Sequence, residues 1–408
     1  MKRIVAWILL AAVLACLLAG CKSNTDAGET SAETEVSVET ASFTEAPTKA
    51  PTQAPAASYV GWRVALLSET VDPAERALTG SIQEACGSWC EARGVAFSSY
   101  EPEEQTTSGL KSMIKQAVAD GSRILVLPGW TTVDAVKECV KLFPDVRFVL
   151  VDVSANYGRS YEYPTNLCNV TFQEQVLGFL AGYAAVKLGY RHLSFVGAKN
   201  TAPTVRYGYG FVQGANAAAV ELEMEKEIAV DYVYADTTLD NPAVTAYVDA
   251  MYQKKGVELC FACGENVERS VCEAARMTEG AKVIGTDAMD RLEEAETINE
   301  NGEESPVLTS VQKVYLRAVE TVLTDVIERS LWSGYAGKTV SLGVVSGEDL
   351  AANYVELAAS TKFEDGKFSF EDYAALIAAL HAGDYAVSDE TKTKPSVVIA
   401  VNYLGNIT

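Results

Sequence analysis

Charged side chains that could hold a polar small molecule come directly after apolar segments of strand length. Asp152 ends the segment RFVLVD, Asp287 ends VIGTD, and Lys313 ends VLTSVQK. Carboxylates accept hydrogen bonds and an ammonium group donates them, so these three suit a ligand rich in hydroxyl groups or ring nitrogens. A single aspartate at a strand end is more often a helix cap or a turn residue. The repetition of such residues is what favours a binding site.

Two aromatic residues and a further carboxylate occupy comparable positions. Trp130 follows RILVLPG, Glu69 follows RVALLS, and Tyr207 lies in PTVRYGYGFVQG, which is typical of the first half of a helix. An aromatic face can stack on a planar ligand group. We predict that Tyr207 stacks on such a group and that Trp130 is the opposing surface.

Three glycines interrupt the helix that carries Tyr207. Gly208, Gly210 and Gly214 each cost roughly 1 kcal/mol of helix propensity relative to alanine. Close packing of the helix on a sheet would explain them, and so would a close approach to a ligand. Tyr209 points to a different helix face and is expected to affect stability more than binding.

Catalytic and metal-binding patterns are not visible in the sequence. With only His192 and His381, no Ser–His–Asp, Cys–His or metal-ligand constellation can be assembled. Seven cysteines lie after the N-terminal region, and this odd number of body cysteines argues against a disulfide framework. Cys260 and Cys263 have the spacing of half a redox or zinc site, but the sequence has no second pair of cysteines with that spacing. We expect no cofactor, no metal and no enzymatic activity. The body cysteines are interpreted as buried apolar thiols: Cys86, Cys90, Cys139, Cys168, Cys260, Cys263 and Cys272.

The charge balance excludes one class of partner. The chain has 55 acidic and 33 basic residues, a net charge of −22. Nucleic-acid polymers are bound by basic surfaces, so a nucleic-acid partner is not expected.

The elements that position these residues alternate between strand and helix. Two series of about four apolar strand segments are separated by helical patterns, which indicates parallel sheets covered on both faces. We predict an α/β fold of two doubly wound parallel-sheet lobes joined by a hinge, with a single barrel as the alternative. In such sheets ligands bind beyond the carboxyl ends of the strands. Asp152 and Asp287 are therefore expected to face one cleft from opposite lobes.

The lobes are expected to be discontinuous in sequence. The first would comprise residues 59–168 and 306–336, and the second residues 169–305 and 337–408. The segment PSVVIAVNYLGNIT (395–408) is typical of one more strand, whose place in a sheet the sequence does not indicate.

The N-terminal region indicates export. Residues 1–20 combine Lys2 and Arg3 with a short apolar run, as in a secretory signal, and LAGC resembles the lipobox in which the cysteine, here Cys21, becomes lipidated. A plain signal peptide is the alternative. Residues 21–58 are rich in Ser, Thr, Glu and Pro, which predicts a disordered linker. The chain is expected at the outer face of the cytoplasmic membrane.

Taken in order, these residues resemble the basic membrane lipoprotein (BMP) family, the purine-nucleoside-binding lipoproteins of bacterial ABC importers. The resemblance implies a type I periplasmic-binding-protein fold, a membrane permease as partner, and Tyr207 as the ring presented to the ligand base. It covers nearly all of residues 62–345, through FPDVRF (143–148) leading to Asp152, TFQEQVLGFLAG (171–182), GAKNTAPTVRYGYGFVQG (197–214), VIGTD (283–287) and LTSVQK (308–313).

The sequence departs from that family in one loop. The family usually has an Asn-Asp pair and then Ser-Phe-Asn after the first strand, where this chain has SETVDPAERALTGS (68–81). The nucleoside is therefore implied by the family, whereas the residues themselves indicate a small planar polar ligand. A lipid-anchored receptor or surface protein that uses the same fold without transport is the alternative function.

Overall fold

The computed structural model of this chain describes residues 59–69, 77–130, 133–153, 163–264, 266–286 and 305–407. Thirteen strands and nine α-helices alternate along these residues. The strands are β1 (Arg63–Leu67), β2 (Ala96–Tyr100), β3 (Ile124–Pro128), β4 (Arg147–Val151), β5 (Leu167–Phe172), β6 (His192–Gly197), β7 (Ala229–Tyr234), β8 (Leu259–Cys263), β9 (Lys282–Thr286), β10 (Val307–Lys313), β11 (Thr339–Leu342), β12 (Val355–Leu357) and β13 (Ala400–Asn406). The helices are α1 (Ala77–Arg93), α2 (Thr107–Ala119), α3 (Asp134–Leu142), α4 (Glu174–Lys187), α5 (Ala202–Glu221), α6 (Pro242–Ala250), α7 (Val267–Arg276), α8 (Tyr315–Leu323) and α9 (Phe370–Ala382).

The strands form two sheets. The first has the order β11-β5-β4-β3-β1-β2, and the second has the order β12-β10-β9-β8-β6-β7-β13. All pairings are parallel except that of β12 with β10. Strands such as β3 and β8 are buried along their whole length because helices cover both faces of each sheet. The expected pair of doubly wound lobes is confirmed.

The first lobe is the first sheet with α1, α2, α3 and α8, and the second lobe is the second sheet with the other helices. One hydrophobic cluster spans the α1–α8 side of the first sheet and the α4–α5 side of the second, and it includes Val151 and Val170 as well as Phe195 and Phe261. Two further clusters lie on the outer faces, beneath α2 and α3 and beneath α6 and α7. The shared cluster therefore forms one continuous apolar core that includes residues of both lobes.

The crossings differ in position from the expected boundaries. β5 completes the first sheet before the chain enters α4, β10 completes the second sheet before it enters α8, and β11 returns to the first sheet. Residues 307–313 therefore belong to the second lobe and residues 339–342 to the first. Apolar runs of strand length do not specify which sheet will pair them, because that choice depends on hydrogen-bonding partners distant in sequence.

The C-terminal segment forms β13, the edge strand of the second sheet, parallel to β7. The Asn402 amide donates a 2.8 Å hydrogen bond to the buried carboxylate of Asp231, which fastens the strand to its neighbour. The C-terminal strand expected from the sequence is confirmed, and it lies at the edge of the second sheet beside β7.

Glycines allow α4 and α5 to pack backbone against backbone. An added Cβ at Gly210 or Gly214 of α5 would overlap the carbonyl oxygens of α4, and one at Gly178 or Gly182 of α4 would overlap those of α5. Gly208 faces the sheet instead, where a Cβ would overlap the Tyr232 side chain. Close packing therefore accounts for the three glycines of α5, mostly against a helix rather than the sheet.

Candidate functional site

Asp152 accepts three hydrogen bonds at the tip of the first lobe. It follows β4 and adopts a φ of 55°, a left-handed conformation that few residues other than glycine adopt. Lys313 Nζ lies 3.0 and 2.9 Å from its two carboxylate oxygens, and the Tyr315 hydroxyl donates at 2.8 Å to Oδ2. The turn thus aims the carboxylate at the segment joining β10 to α8.

Lys313 extends this contact into the second lobe. Its side chain is only 8% exposed, and Nζ also lies 3.4 Å from the Glu174 carboxylate. Glu174 in turn pairs with Arg206, whose Nε is 2.8 Å away. Two cations and two carboxylates therefore alternate in a partly buried chain of contacts, Asp152–Lys313–Glu174–Arg206, which we call the hinge network.

The hinge network lies where the chain passes between lobes. Glu174 begins α4 directly after the first crossing, and Lys313 and Tyr315 flank the second. Asp152 reaches the network from the first lobe, and Arg206 reaches it from α5 of the second. Hydrogen-bonding groups of both lobes thus converge at the carboxyl ends of the sheets, where this architecture binds ligands.

Aromatic rings surround the ammonium group of Lys313. Nζ lies 5.6 Å from the ring centroid of Tyr207 and 5.8 Å from that of Phe172, within the range of cation–π attraction. Tyr207 is 5% exposed and meets Phe261 edge-on at 6.2 Å. The structure therefore brings together Tyr207, Lys313 and Asp152, three residues proposed from the sequence.

Tyr209 lies on a different face of α5 from Tyr207, as expected from the sequence. Its ring lies 5.9 Å from that of Tyr232 and 6.5 Å from that of Tyr403, near the edge formed by β7 and β13.

Trp130 does not join this group. Its indole is 1% exposed and donates a 2.8 Å hydrogen bond to the Leu67 carbonyl, within the cluster beneath α2 and α3. Gly129 adopts a φ of 60°, and the turn takes Trp130 over the outer face of the sheet, whereas Tyr207 belongs to the cluster shared by the lobes. Trp130 is thus a core residue of the first lobe in this structure, and the expected pairing with Tyr207 is not formed.

The remaining sequence-derived residues are placed only in part. Glu69 is buried directly after β1, at the same edge of the sheet as Asp152. Asp287 and Cys21 lie outside the described residues, as do the signal, the linker and most of the loop that departs from the BMP pattern. Thr286, just before Asp287, donates from its backbone and its hydroxyl to the buried carboxylate of Glu268.

Four residues of this region were not identified as candidates by the sequence analysis: Glu174, Arg206, Tyr315 and Glu268. An acidic residue in the first turn of a helix is usual because it complements the helix dipole, so Glu174 and Glu268 gave no distinctive signal. The pattern Lys313-Val314-Tyr315 directly after a strand is the one signal that could have indicated Tyr315.

The body cysteines are buried free thiols, which confirms their interpretation. Burial raises the pKa of Cys90 to about 11 and that of Cys260 to about 12, because the thiolate is poorly solvated there. Across the described residues, no three acidic, histidine or cysteine side chains are grouped as metal ligands would be. No helix in the same part of the chain has the length and apolar character needed to cross a bilayer.

Comparison with known proteins places these observations in a family. Residues 91–349 match the family model described as Bmp, ABC transporter substrate-binding protein PnrA-like. Basic membrane protein B of Borreliella afzelii is 25% identical over 230 residues, which are 56% of this chain and 62% of that protein. Basic membrane protein B of Borreliella burgdorferi is 26% identical over 231 residues, with the same shares. The aligned region thus spans less than two thirds of these relatives.

Solved structures support the fold. An ABC transporter solute-binding protein of Conexibacter woesei has a TM-score of 0.59 at 18% identity, covering 80% of this chain and 99% of that one. A solute-binding protein of Aeropyrum pernix has a TM-score of 0.52 at 17% identity, covering 79% and 86%. At these identities the likeness concerns the architecture alone.

Proposed function

This chain belongs to the Bmp family of PnrA-like ABC transporter substrate-binding proteins, and from that premise we propose that it is a lipid-anchored extracytoplasmic binding protein that delivers a nucleoside-like ligand to an ABC permease. The ligand would bind between the two lobes at the hinge network and beside Tyr207.

The single observation that carries the proposal is the contact of Lys313 with Asp152. It joins the lobes at the carboxyl ends of their sheets, and both side chains are largely withdrawn from water. Charged hydrogen-bonding groups in such a place are strong partners for ligand hydroxyls, which both accept and donate. A ribose-like group inserted between them would accept from Lys313, donate to Asp152 and draw the lobes together around the ligand.

Tyr207 supports a planar group next to that polyhydroxyl part. Its ring already lies below the Lys313 ammonium, so the aromatic surface and the hydrogen-bonding groups are adjacent. A nucleoside combines a planar base with a hydroxylated sugar, and the BMP resemblance implies the same ligand class. Asp287, expected from the opposite lobe, would add a second carboxylate.

Binding can be tested by calorimetric titration of the purified protein with a panel of nucleosides, bases and pentoses. Asp152→Ala should weaken binding of the best ligand by about one to two decades, because a hydrogen bond to a charged group contributes roughly 1.5–3 kcal/mol. Asp134→Ala, on the exposed outer helix α3, is the matched control and should bind as wild type. If no nucleoside binds wild type, the nucleoside assignment is wrong, while the fold and family remain.

Transport is tested separately from binding. With the partner permease and its ATPase reconstituted in vesicles, the ligand-loaded chain should stimulate ATP hydrolysis, and Asp152→Ala should require a higher ligand concentration. Tight ligand binding without any such stimulation would instead favour a receptor that does not transport.

The anchor is tested through Cys21. Cys21→Ala should abolish lipidation and leave the signal unprocessed, because the thiol is the proposed attachment point. Cys16→Ala is the control and should be processed normally. Wild-type processing of the Cys21 variant would contradict the lipobox assignment.

A further inference from the structure

A groove lies at the end of the first lobe that faces away from the hinge network. It encloses about 270 Å³ and is lined by Val60, Gly61, Trp62, Arg123, Asp145 and Arg147. Arg123 precedes β3 and Arg147 begins β4, whereas Trp130 and Asp152 follow the carboxyl ends of those strands. The groove and the proposed ligand cleft are therefore at opposite ends of one sheet.

Arg147 is held in this groove without a counter-charge. Its guanidinium carbon lies 5.0 Å from the ring centroid of Trp62 and 5.5 Å from that of Trp332. It makes one long hydrogen bond, 3.5 Å to the Val326 carbonyl, and no ion pair with a carboxylate that the structure describes. Most of the five N–H donors of the guanidinium are thus available.

A second tryptophan-stacked arginine in the same lobe shows the contrast. Arg93 lies 4.4 Å from the Trp89 ring, but its Nε is paired with the Glu328 carboxylate at 2.5 Å. Arg93 is therefore neutralised within the fold, whereas Arg147 is not. In a chain with 55 acidic residues, Arg147 thus lies between two indoles with no carboxylate partner among the described residues.

A second cation lies beside Arg147. The Arg147 backbone donates to the Arg123 carbonyl at 2.9 Å, so the two side chains start from adjacent strands, and Arg123 is exposed. Partial burial lowers the pKa of Arg147, because desolvation disfavours its charged form. An anion in the groove would offset that desolvation. Asp145 lines the groove but lies beyond ion-pair distance of either arginine.

We propose that this groove binds a phosphate ester whose organic part carries hydroxyl groups. The two guanidinium groups would hold the phosphate oxygens, a geometry for which arginine is suited. Trp62 would contact the carbon skeleton, and Asp145 would accept hydrogen bonds from the hydroxyls. A free glycerol phosphate and the headgroup of a phosphatidylglycerol share this chemistry. The groove lies beside residues 59–62, which follow the linker expected to lead to the lipid anchor.

Tryptophan fluorescence of the full chain gives a direct readout. Of the four tryptophans in the described residues, Trp62 and Trp332 flank Arg147 and are partly exposed, while Trp89 and Trp130 are 2% and 1% exposed. Titration with glycerol 1-phosphate at constant ionic strength should give a saturable change in emission. Arg147→Gln and Arg123→Gln should each weaken the response about ten- to hundredfold, and Arg147→Lys should recover only part of it.

Arg93→Gln is the matched control, since it removes a stacked arginine that is already paired, and it should respond as wild type. Because Arg123 is exposed, its variant is expected to fold even if Arg147→Gln does not. The proposal is overturned if wild type gives no saturable response, or if Arg123→Gln and Arg147→Gln respond as wild type. If wild type gives no phosphate response and Arg147→Gln has a lower melting temperature, the role of Arg147 is only structural, through its packing between Trp62 and Trp332.

The source of the ligand is decided by comparing monomeric dihexanoyl phosphatidylglycerol with glycerol 1-phosphate. Tighter binding of the lipid assigns a membrane headgroup, and equal or tighter binding of the free ester assigns a soluble phosphate ester. Dihexanoylglycerol, which lacks phosphate, should give no response, and an equal response to it would contradict an anion site. These outcomes do not depend on whether nucleosides bind in the cleft.

Discussion

At the scale of residues, Asp152 combines a strained backbone with a carboxylate that accepts three hydrogen bonds. A non-glycine residue at a φ of 55° costs of order 1 kcal/mol, and such strain is found at sites where the surroundings over-determine the conformation. Here the surroundings are Lys313 and Tyr315, which together donate three hydrogen bonds to the carboxylate. These hydrogen bonds offset the strain of the turn and fix the position of the carboxylate.

Tyr207 should contribute to affinity through its ring. We expect Tyr207→Ala to weaken binding of a nucleoside ten- to hundredfold, because stacking of a base on an aromatic ring contributes roughly 1–3 kcal/mol. Tyr207→Phe should change affinity little, and Tyr209→Ala should lower the melting temperature more than the affinity, since Tyr209 packs on Tyr232 and Tyr403. Titration calorimetry and thermal unfolding of the three variants check this. Wild-type affinity of Tyr207→Ala would end the stacking hypothesis.

At the scale of elements, the contact of α4 with α5 should tolerate no added methyl group. Gly214→Ala would gain roughly 1 kcal/mol of helix propensity, but its Cβ would overlap the Phe179 carbonyl, and overpacking of this kind costs about 1–3 kcal/mol or more. We expect a net loss of stability in chemical denaturation. Gly80→Ala in α1 is the control, because nothing lies within 4 Å of its added Cβ, and it should be stabilised. A stabilised Gly214→Ala would contradict the close packing.

The N-terminal cap of α9 should make a pH-dependent contribution to the free energy of unfolding. Ser369 and Asp372 form a reciprocal cap, in which the Ser369 backbone donates to the Asp372 carboxylate at 2.9 Å. This hydrogen bond lowers the pKa of Asp372 below its ordinary value. The stabilisation by the carboxylate is therefore present above about pH 4 and lost as the pH falls through the folded-state pKa.

Two variants separate the parts of this cap. Ser369→Ala should cost about 1 kcal/mol of unfolding free energy at pH 7. Asp372→Asn should be less stable than wild type at pH 7, and this difference should shrink as the pH falls below about 4, as measured by urea unfolding. A difference between Asp372→Asn and wild type that does not change with pH would show that the carboxylate charge is not involved.

At the scale of the whole molecule, the hinge network should control the opening of the lobes in the absence of ligand. Lys313→Met would leave Asp152 and Glu174 without their shared cation, and removal of one partner from a buried ion pair costs about 3 kcal/mol. Opening of the cleft would hydrate both carboxylates, so we expect a larger radius of gyration by small-angle X-ray scattering. Lys187→Met removes a lysine paired with Glu221 inside the second lobe and should leave the radius unchanged. An unchanged radius in Lys313→Met would show that other contacts hold the lobes.

The sequence by itself determined the architecture, because local patterns encode it. Apolar strand segments alternating with amphipathic helices can bury their faces only in covered parallel sheets, and the strand-end position of Asp152 and Lys313 follows from the same pattern. The burial of the cysteines and the strand character of the C-terminus were likewise local properties.

Only the tertiary structure decided which distant groups meet. The assignment of β10 and β11 to their sheets, the outward turn of Trp130, and the pairing of Lys313 with both Asp152 and Glu174 depend on contacts between residues far apart in the chain. The glycines of α5 illustrate the physical reason. Their cost in helix propensity is visible in the sequence, but what offsets it is the backbone of α4, whose position is set by the packed lobe.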